Sequence, residues 1–436
     1  MRTVVTSFGS TGDVHPYLAL AIELKKHNHD PVLAFPPHFA SLVERFGLEF
    51  EPVGPDLQQV QADLIVAMQV MPDSADELRD MFAPLADALP EMFDKLSEIT
   101  RDADVIISGP MQPCSRIIHE MTSIPFVSVQ ENHFGGGGSL AFQLATMSLI
   151  NPFRAQFGLP PLRHPLTHDA NSPQLALYAM SRHITPPPAN WPSHYRMTGF
   201  FFLDDEQWQP YPGLIDFLAA DGPLIVITFG SMTHNDPEAL SDIIFKAVEE
   251  VGCRAIIQQG WSGLAQRKTP PNIHVAGFIP HSWLFPRAAC IVHHGGPGTA
   301  AAAFRAGVPS VFVPHTFDQP IWGELAHDLG LVLPIPILEL SAERLAKAIS
   351  MTLCGPRYRE IAASIGEKMR MEQGVRTART LIEELVYRIG LHQEGAEGFR
   401  SGFDRGEARG EKMNRRKQFQ QQRRLRRRTQ GAGDDY

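Results

Sequence analysis

Apolar residues in this chain fall in short runs separated by glycine turns and by stretches with one apolar face, the pattern of parallel strands alternating with helices. The run Arg2–Phe8 predicts a first strand, with the turn Gly9–Pro16 after it. Tyr17–His27 then places Leu18, Ala21 and Ile22 on one helix face, and Pro31–Phe35 predicts a second strand. Residues 56–100 read as helical and methionine-rich (Met68, Met71, Met81, Met92), interrupted by Pro72, Pro84 and Pro90. Such helices serve either as ordinary core or as the wall of an adaptable apolar pocket. Strands follow at Val105–Ile107 and Phe126–Val129, with a helix reaching Ile118 between them. His133–Ser139, with four consecutive glycines, reads as a loop at the same sheet edge.

Proline and aromatic residues crowd the stretch 151–212, which fits the end of one domain and a linker. A second α/β unit opens at Leu224–Phe229, continuing with a helix over 237–251 and strands over 254–258 and 273–276. Ala288–Val292 predicts a buried strand, Ala300–Ala306 a helix closed by Gly307, and Ser310–Val313 the next strand. Helices over 321–329, 341–353, 357–371 and 374–389 complete the pattern. The expected division is 1–200 for a first domain, 201–217 for a linker, 218–390 for a second domain and 391–436 for a tail.

Two turns carry the candidate chemistry. The first, Gly9-Ser10-Thr11-Gly12-Asp13-Val14-His15-Pro16, lacks the GxGxxG spacing of a dinucleotide site, and the second strand ends in Phe35-Pro36-Pro37 where an acid for a ribose is expected. Asp13 there is either a helix cap or a catalytic carboxylate, and His15 is a polar neighbour rather than the base. The second turn, His293-His294-Gly295-Gly296-Pro297-Gly298-Thr299, joins a strand to a helix. Glycines let a phosphate approach the backbone, Pro297 suits a first helical turn, and the helix start offers free N–H groups and positive charge. A diphosphate site without a metal is the expectation, because no carboxylate cluster stands beside the turn.

Composition narrows the class. With 436 residues, 43% hydrophobic and 20% charged, the chain suits two globular domains. No apolar run reaches the ~20 residues of a membrane span, and MRTVVTSFGS is not a signal-peptide pattern. Cys114, Cys253, Cys290 and Cys354 are scattered, which predicts reduced thiols in a cytoplasmic protein. Net charge is −9, yet residues 391–436 hold 12 Lys/Arg against 7 Asp/Glu. The body is therefore acidic, which argues against nucleic acid. The basic tail reads as solvated and disordered, with contact to an anionic membrane as its alternative.

GSTGDVHP near residue 9, FGSM at 229–232 and the long run from Phe278 to Gln319 resemble the GT-B, family 1 glycosyltransferases, in the branch of sterol glucosyltransferases and bacterial macrolide glycosyltransferases. The resemblance covers residues 1 to about 390. It implies two facing Rossmann-like domains with a cleft between them, the acceptor on the first and the nucleotide sugar on the second. It also implies inverting, metal-independent transfer of a hexose, glucose from a UDP-sugar first and a TDP-sugar second, to a hydroxyl of a sterol, macrolide, polyketide or lipid-like alcohol. No cofactor is implied beyond the co-substrate, and the oligomeric state is left open.

Carried onto this sequence, the resemblance makes Asp13 the general base; Thr11, Gly12 and His15 beside it are candidates for the acceptor side, as are His133 and Phe134 of a loop that either contacts an acceptor or is a mobile connection. It puts His294 on the diphosphate with His293 beside it, Gly296, Gly298 and Thr299 at the phosphate turn, and Ser231 on a phosphate oxygen. Asp318 and Gln319 fall on the pair that bonds the sugar hydroxyls, and Phe278 or Trp283 on the ring that stacks with the base. The chain departs from the pattern at Ile107-Ser108-Gly109-Pro110, which holds no acid to pair with a histidine base, and at Ala302, where an acid often meets the ribose. Two other classes share the architecture: a nucleotide-sugar epimerase, and a catalytically idle sugar-nucleotide binder.

Overall fold

The computed structural model describes residues 1–56, 74–131, 139–205, 207–230, 232, 236–260, 264, 268–316, 318–331 and 334–400, the last nine as backbone. Among them lie two parallel sheets. The first contains β1 (Arg2–Thr6), β2 (Asp30–Phe35), β3 (Glu49–Pro52), β4 (Val105–Ser108), β5 (Phe126–Gln130), β6 (Leu175–Tyr178) and β7 (Tyr195–Met197), in the order β3-β2-β1-β4-β5-β6-β7. The second contains β8 (Leu224–Thr228), β9 (Arg254–Gln258), β10 (Ile273–Ala276), β11 (Cys290–His293) and β12 (Ser310–Phe312), in the order β10-β9-β8-β11-β12. Their apolar residues are buried on both faces, as parallel strands covered by helices require.

Strand order reverses between β1 and β4 in the first sheet and between β8 and β11 in the second. In open α/β sheets the crevice at such a reversal, beyond the carboxyl ends of the strands, is where ligands bind. Asp13 follows β1, and His294 follows β11. Both predicted turns therefore stand at the switch points of their own sheets.

Besides β3, β6, β7 and the helix Leu140–Ala155, which the sequence reading did not contain, three elements differ from it. The helix α1 runs Thr11–Lys26 and starts six residues before Tyr17, with Pro16 inside it. Ser10 at the N-cap and Asp13 three residues on set that start, the side chain of Asp13 reaching back to the cap. The helix Ala75–Ile99 likewise passes through Pro84 and Pro90 without a break. Each proline loses one helix bond, but burial of Leu78, Phe82, Leu85, Leu89, Met92, Phe93 and Leu96 outweighs the loss. Met92 is core, while Met68 and Met71 lie outside the described residues.

The third difference is the C-terminal helix, Gly374–Arg400, which runs past residue 390 and packs on the first sheet rather than the second. Ala378, Ile382 and Leu385 join the core of β1, β2 and α1. Arg379 reaches Glu23 of α1 at 3.3 Å, and Glu383 meets His29 at 2.8 Å. In the other direction, Met180, Ile184 and Phe200 pack with Ala300, Phe304 and Trp322 of the second unit. The chain thus crosses between the lobes twice, and both crossings are packed. The basic run of the tail lies beyond residue 400, outside the described residues.

Candidate active site

Asp13 occupies the first turn of α1, directly beyond β1. Its Oδ2 accepts from the backbone N–H of Ser10 at 2.7 Å and from the Ser10 hydroxyl at 2.9 Å. Among the described residues no other side chain bonds it. Gly9 has φ +145°, and a Cβ there would lie 2.4 Å from Asp13 Oδ2, so glycine is needed for the carboxylate to sit where it does. Burial raises the pKa of Asp13, and the two bonds from Ser10 partly offset the rise. His15, two residues on in the same helix and half-buried, stays neutral: burial lowers it to about 4, with Arg45 adding to the shift.

The position where a histidine base would find its acid is filled. A Cβ on Gly109 would come within 2.7 Å of the Tyr17 hydroxyl, which donates to Val129 O at 2.9 Å. Tyr17 thereby ties α1 to the end of β5. Thr11 and Gly12 form the first helical residues around Asp13, while His133 and Phe134 lie outside the described residues.

On the second lobe, Gly296 is the N-cap and Pro297 the first residue of the helix Pro297–Ala306, which Gly307 closes at φ +71°. A Cβ on Gly298 would meet nothing within 4 Å, so the mouth of this helix is open. His294, nearly buried, is held between two glycines: a Cβ on Gly296 would lie 2.4 Å from its Nε2, and one on Gly230 2.9 Å from its Cε1. His293 differs from the expectation. Its ring is fully buried, edge-on to Phe312 at 4.3 Å, and its Nδ1 accepts the N–H of Gly295 at 3.1 Å. It shapes the turn from beneath. Thr299 is also buried in the first helical turn, and Ser231 lies outside the described residues.

Asp318 and Gln319 begin the helix Gln319–Asp328. Asp318 Oδ2 accepts from the indole N–H of Trp322 at 3.0 Å, and burial raises its carboxyl to about 6 against that bond. Gln319 spends its carbonyl oxygen on the N–H groups of His315 and Thr316, at 2.8 and 3.2 Å, which fixes the loop after β12. The two aromatic candidates separate cleanly. Phe278 is 63% exposed. Trp283 packs on Trp208 at 5.0 Å and carries the Arg287 guanidinium at 3.9 Å, on the far side of the lobe, so it is not placed as a stacking ring.

The two lobes meet at these residues. Asp318 feels the charge of Asp13, and His281 feels that of His15 as well as His294. His281, from the turn after β10, stacks on Phe285 and is lowered to about 3 by burial, with the two histidines adding to the shift. Glu131, the residue after β5, was not read from the sequence. It is 6% exposed, and its Oε2 has no hydrogen-bond partner among the described residues. Burial holds its carboxyl well above the usual range, with Asp13 and Asp318 pushing the same way. A signal existed: Glu131 is the first charge after the apolar strand FVSVQ, at the ligand edge of the sheet.

Residues 3–132 match the family model of the glycosyltransferase family 28 N-terminal domain, and residues 243–380 match the erythromycin biosynthesis protein CIII-like C-terminal domain. The chain has the GT-B glycosyltransferase fold. It is 31% identical over 409 residues to the sterol 3-beta-glucosyltransferase UGT80A2 of Arabidopsis thaliana, covering 86% of this chain and 64% of that protein. It is 29% identical over 423 residues to the O-mycaminosyltylonolide 6-deoxyallosyltransferase of Streptomyces fradiae, covering 88% of this chain and 97% of the relative. Against a sterol 3-beta-glucosyltransferase of Pichia angusta the chain spans only 34% of the relative's length. In fold it is similar to the calicheamicin glycosyltransferase CalG4, with TM-score 0.70 and 18% identity over 89% of this chain and 98% of the other. It is also similar to VinC, solved with DTDP, at TM-score 0.64 and 20% identity over 89% of this chain and 100% of the other. The GT-B likeness accounts for the two lobes and for the pairing of their switch points. No described helix is long and apolar enough to cross a membrane.

Proposed function

We propose that this chain transfers a hexose, with inversion and without a metal, from a nucleoside diphosphate sugar to a hydroxyl of a hydrophobic small molecule. The observation that carries the reading is the opposition across the cleft of Asp13 at one switch point and the open helix mouth with His294 at the other. In this reading the acceptor hydroxyl attacks the anomeric carbon from the face opposite the diphosphate. Asp13 takes its proton as the C–O bond forms, a contribution of roughly 10²–10⁴-fold. Negative charge then grows on the leaving diphosphate, and the N–H groups at Pro297–Ala306 and the imidazole of His294 meet it. Preorganised donors of this kind are worth about 3–4 kcal/mol each. Asp318 binds the sugar from the donor side, and Phe278, exposed just after β10, stacks on the base.

UDP-glucose is the first donor in this proposal and a TDP-sugar the second; a relative that acts on sterols and another that acts on a macrolide frame the acceptor class. The test is mass-spectrometric screening of sterols, macrolactones and aromatic polyketides against UDP- and TDP-sugars. A mass gain of one hexose or deoxyhexose on an acceptor supports the reading. Release of nucleotide or formation of a new sugar nucleotide without any acceptor product would overturn it in favour of hydrolysis or epimerisation.

A further inference from the structure

Glu131 is the buried group that the mechanism above leaves unused. It stands on the acceptor lobe, at the carboxyl end of β5, where the Tyr17 hydroxyl fixes Val129 two residues earlier. Tyr17 lies one turn along α1 from Asp13, so the same helix that places the base also anchors the strand end that places Glu131. Both carboxylates act on the buried Tyr17 hydroxyl, and Asp318 reaches Glu131 from the opposite lobe. Glu131 therefore lies within range of the charge of both the base and Asp318.

We infer that Glu131 is a specificity-determining residue that pairs with a second hydroxyl of the acceptor, next to the hydroxyl that reacts. This rests on the transferase reading above and names the acceptor class within it: alcohols that carry a neighbouring hydroxyl, in preference to a lone hydroxyl on a hydrocarbon frame. Glu131 Oε2 is buried without a partner, and a buried polar oxygen facing an apolar ligand surface stays unpaired. Sites built to bond a substrate hydroxyl reject analogues that lack it for this reason.

The alternatives fit less well. No cationic side chain pairs with Glu131 among the described residues, and no group of three His, Cys, Asp or Glu among them is disposed to hold a metal ion. The charges of Asp13 and Asp318 disfavour a further full negative charge on Glu131, which leaves it better suited to a neutral partner. A hydroxyl both donates and accepts, so it satisfies the carboxyl in either protonation state.

The test uses the full chain with acceptor pairs from steroid, macrolactone and aromatic polyketide frames, each pair differing only in the hydroxyl beside the reacting one. The wild-type enzyme is expected to favour the dihydroxy member by about 10- to 100-fold in kcat/KM. Glu131→Gln, which keeps donor and acceptor atoms, should retain most of that ratio. Glu131→Leu, similar in size but unable to bond, should reduce it to near unity while leaving donor affinity, read by calorimetry, unchanged. Equal rates on both members by wild type, or an unaltered ratio in Glu131→Leu, overturns this inference alone. Absence of transfer to every acceptor overturns the transferase reading, and this inference with it.

Discussion

Ser10 gives two hydrogen bonds to one oxygen of Asp13, at 2.7 and 2.9 Å, and thereby holds the carboxylate at the head of α1. Capping and catalysis were opposed readings of Asp13; the geometry allows one residue to do both. The bonds favour the charged form, so they bring the pKa of Asp13 back toward its ordinary value against burial. Ser10→Ala removes one of them, and the pKa rises. The acid limb of kcat/KM should therefore move to higher pH, with the plateau little changed, and a pH–rate profile checks it. An acid limb that stays in place would separate Ser10 from the base.

Gly9 is the backbone condition for that arrangement. Any side chain there collides with the Asp13 carboxylate and must adopt φ +145°. Gly9→Ala is expected to lower kcat by at least 10-fold, through displacement of Asp13. Donor affinity, set on the other lobe, should be unchanged by calorimetry.

The aromatic assignment is open to a paired substitution. Phe278→Ala should weaken nucleotide-sugar binding by about 10-fold, a stacking contact of ~1 kcal/mol or slightly more. Trp283→Leu should leave that affinity alone and lower stability by about 1–3 kcal/mol, through lost packing with Trp208 and Arg287. The reverse outcome would return Trp283 to the donor site.

Asp318 ties the site to stability. Its folded pKa, about 6, lies above the unfolded value, so its contribution is complete at low pH and is lost as pH rises through about 6. Asp318→Asn retains an acceptor for the Trp322 indole and escapes that loss. The variant should gain stability relative to wild type between pH 4 and pH 7, by at most about 3 kcal/mol in denaturant unfolding. Sugar transfer should fall at the same time.

Much of this was legible in the sequence because it depended on local chemistry. The alternation of apolar runs and glycine turns specified two parallel α/β units, and His294-Gly295-Gly296-Pro297 specified a strand running into an open helix mouth. What stayed hidden depended on the partner lobe or on long-range packing. The final helix looked like part of the second unit because nothing in 374–390 says which sheet Ala378, Ile382 and Leu385 will cover. His293 and His294 are adjacent and chemically alike; only the pleat, which turns one under Phe312 and the other between two glycines, assigns them different work. Helix interiors at Pro16, Pro84 and Pro90 were read as breaks because propensity is local, whereas buried faces decide. Glu131 was missed because an acid after a strand carries no motif until Asp13 and Asp318 are seen around it.

The central claim is that Asp13 accepts the proton of the attacking hydroxyl while the other lobe holds the diphosphate. Single-turnover kinetics of Asp13→Asn, beside donor affinity measured by calorimetry, tests it most directly, since asparagine keeps an oxygen for Ser10 and removes only the basic charge. The account predicts unchanged donor binding with sugar transfer slowed by about 10²–10⁴-fold. Transfer at the wild-type rate in that variant would contradict it.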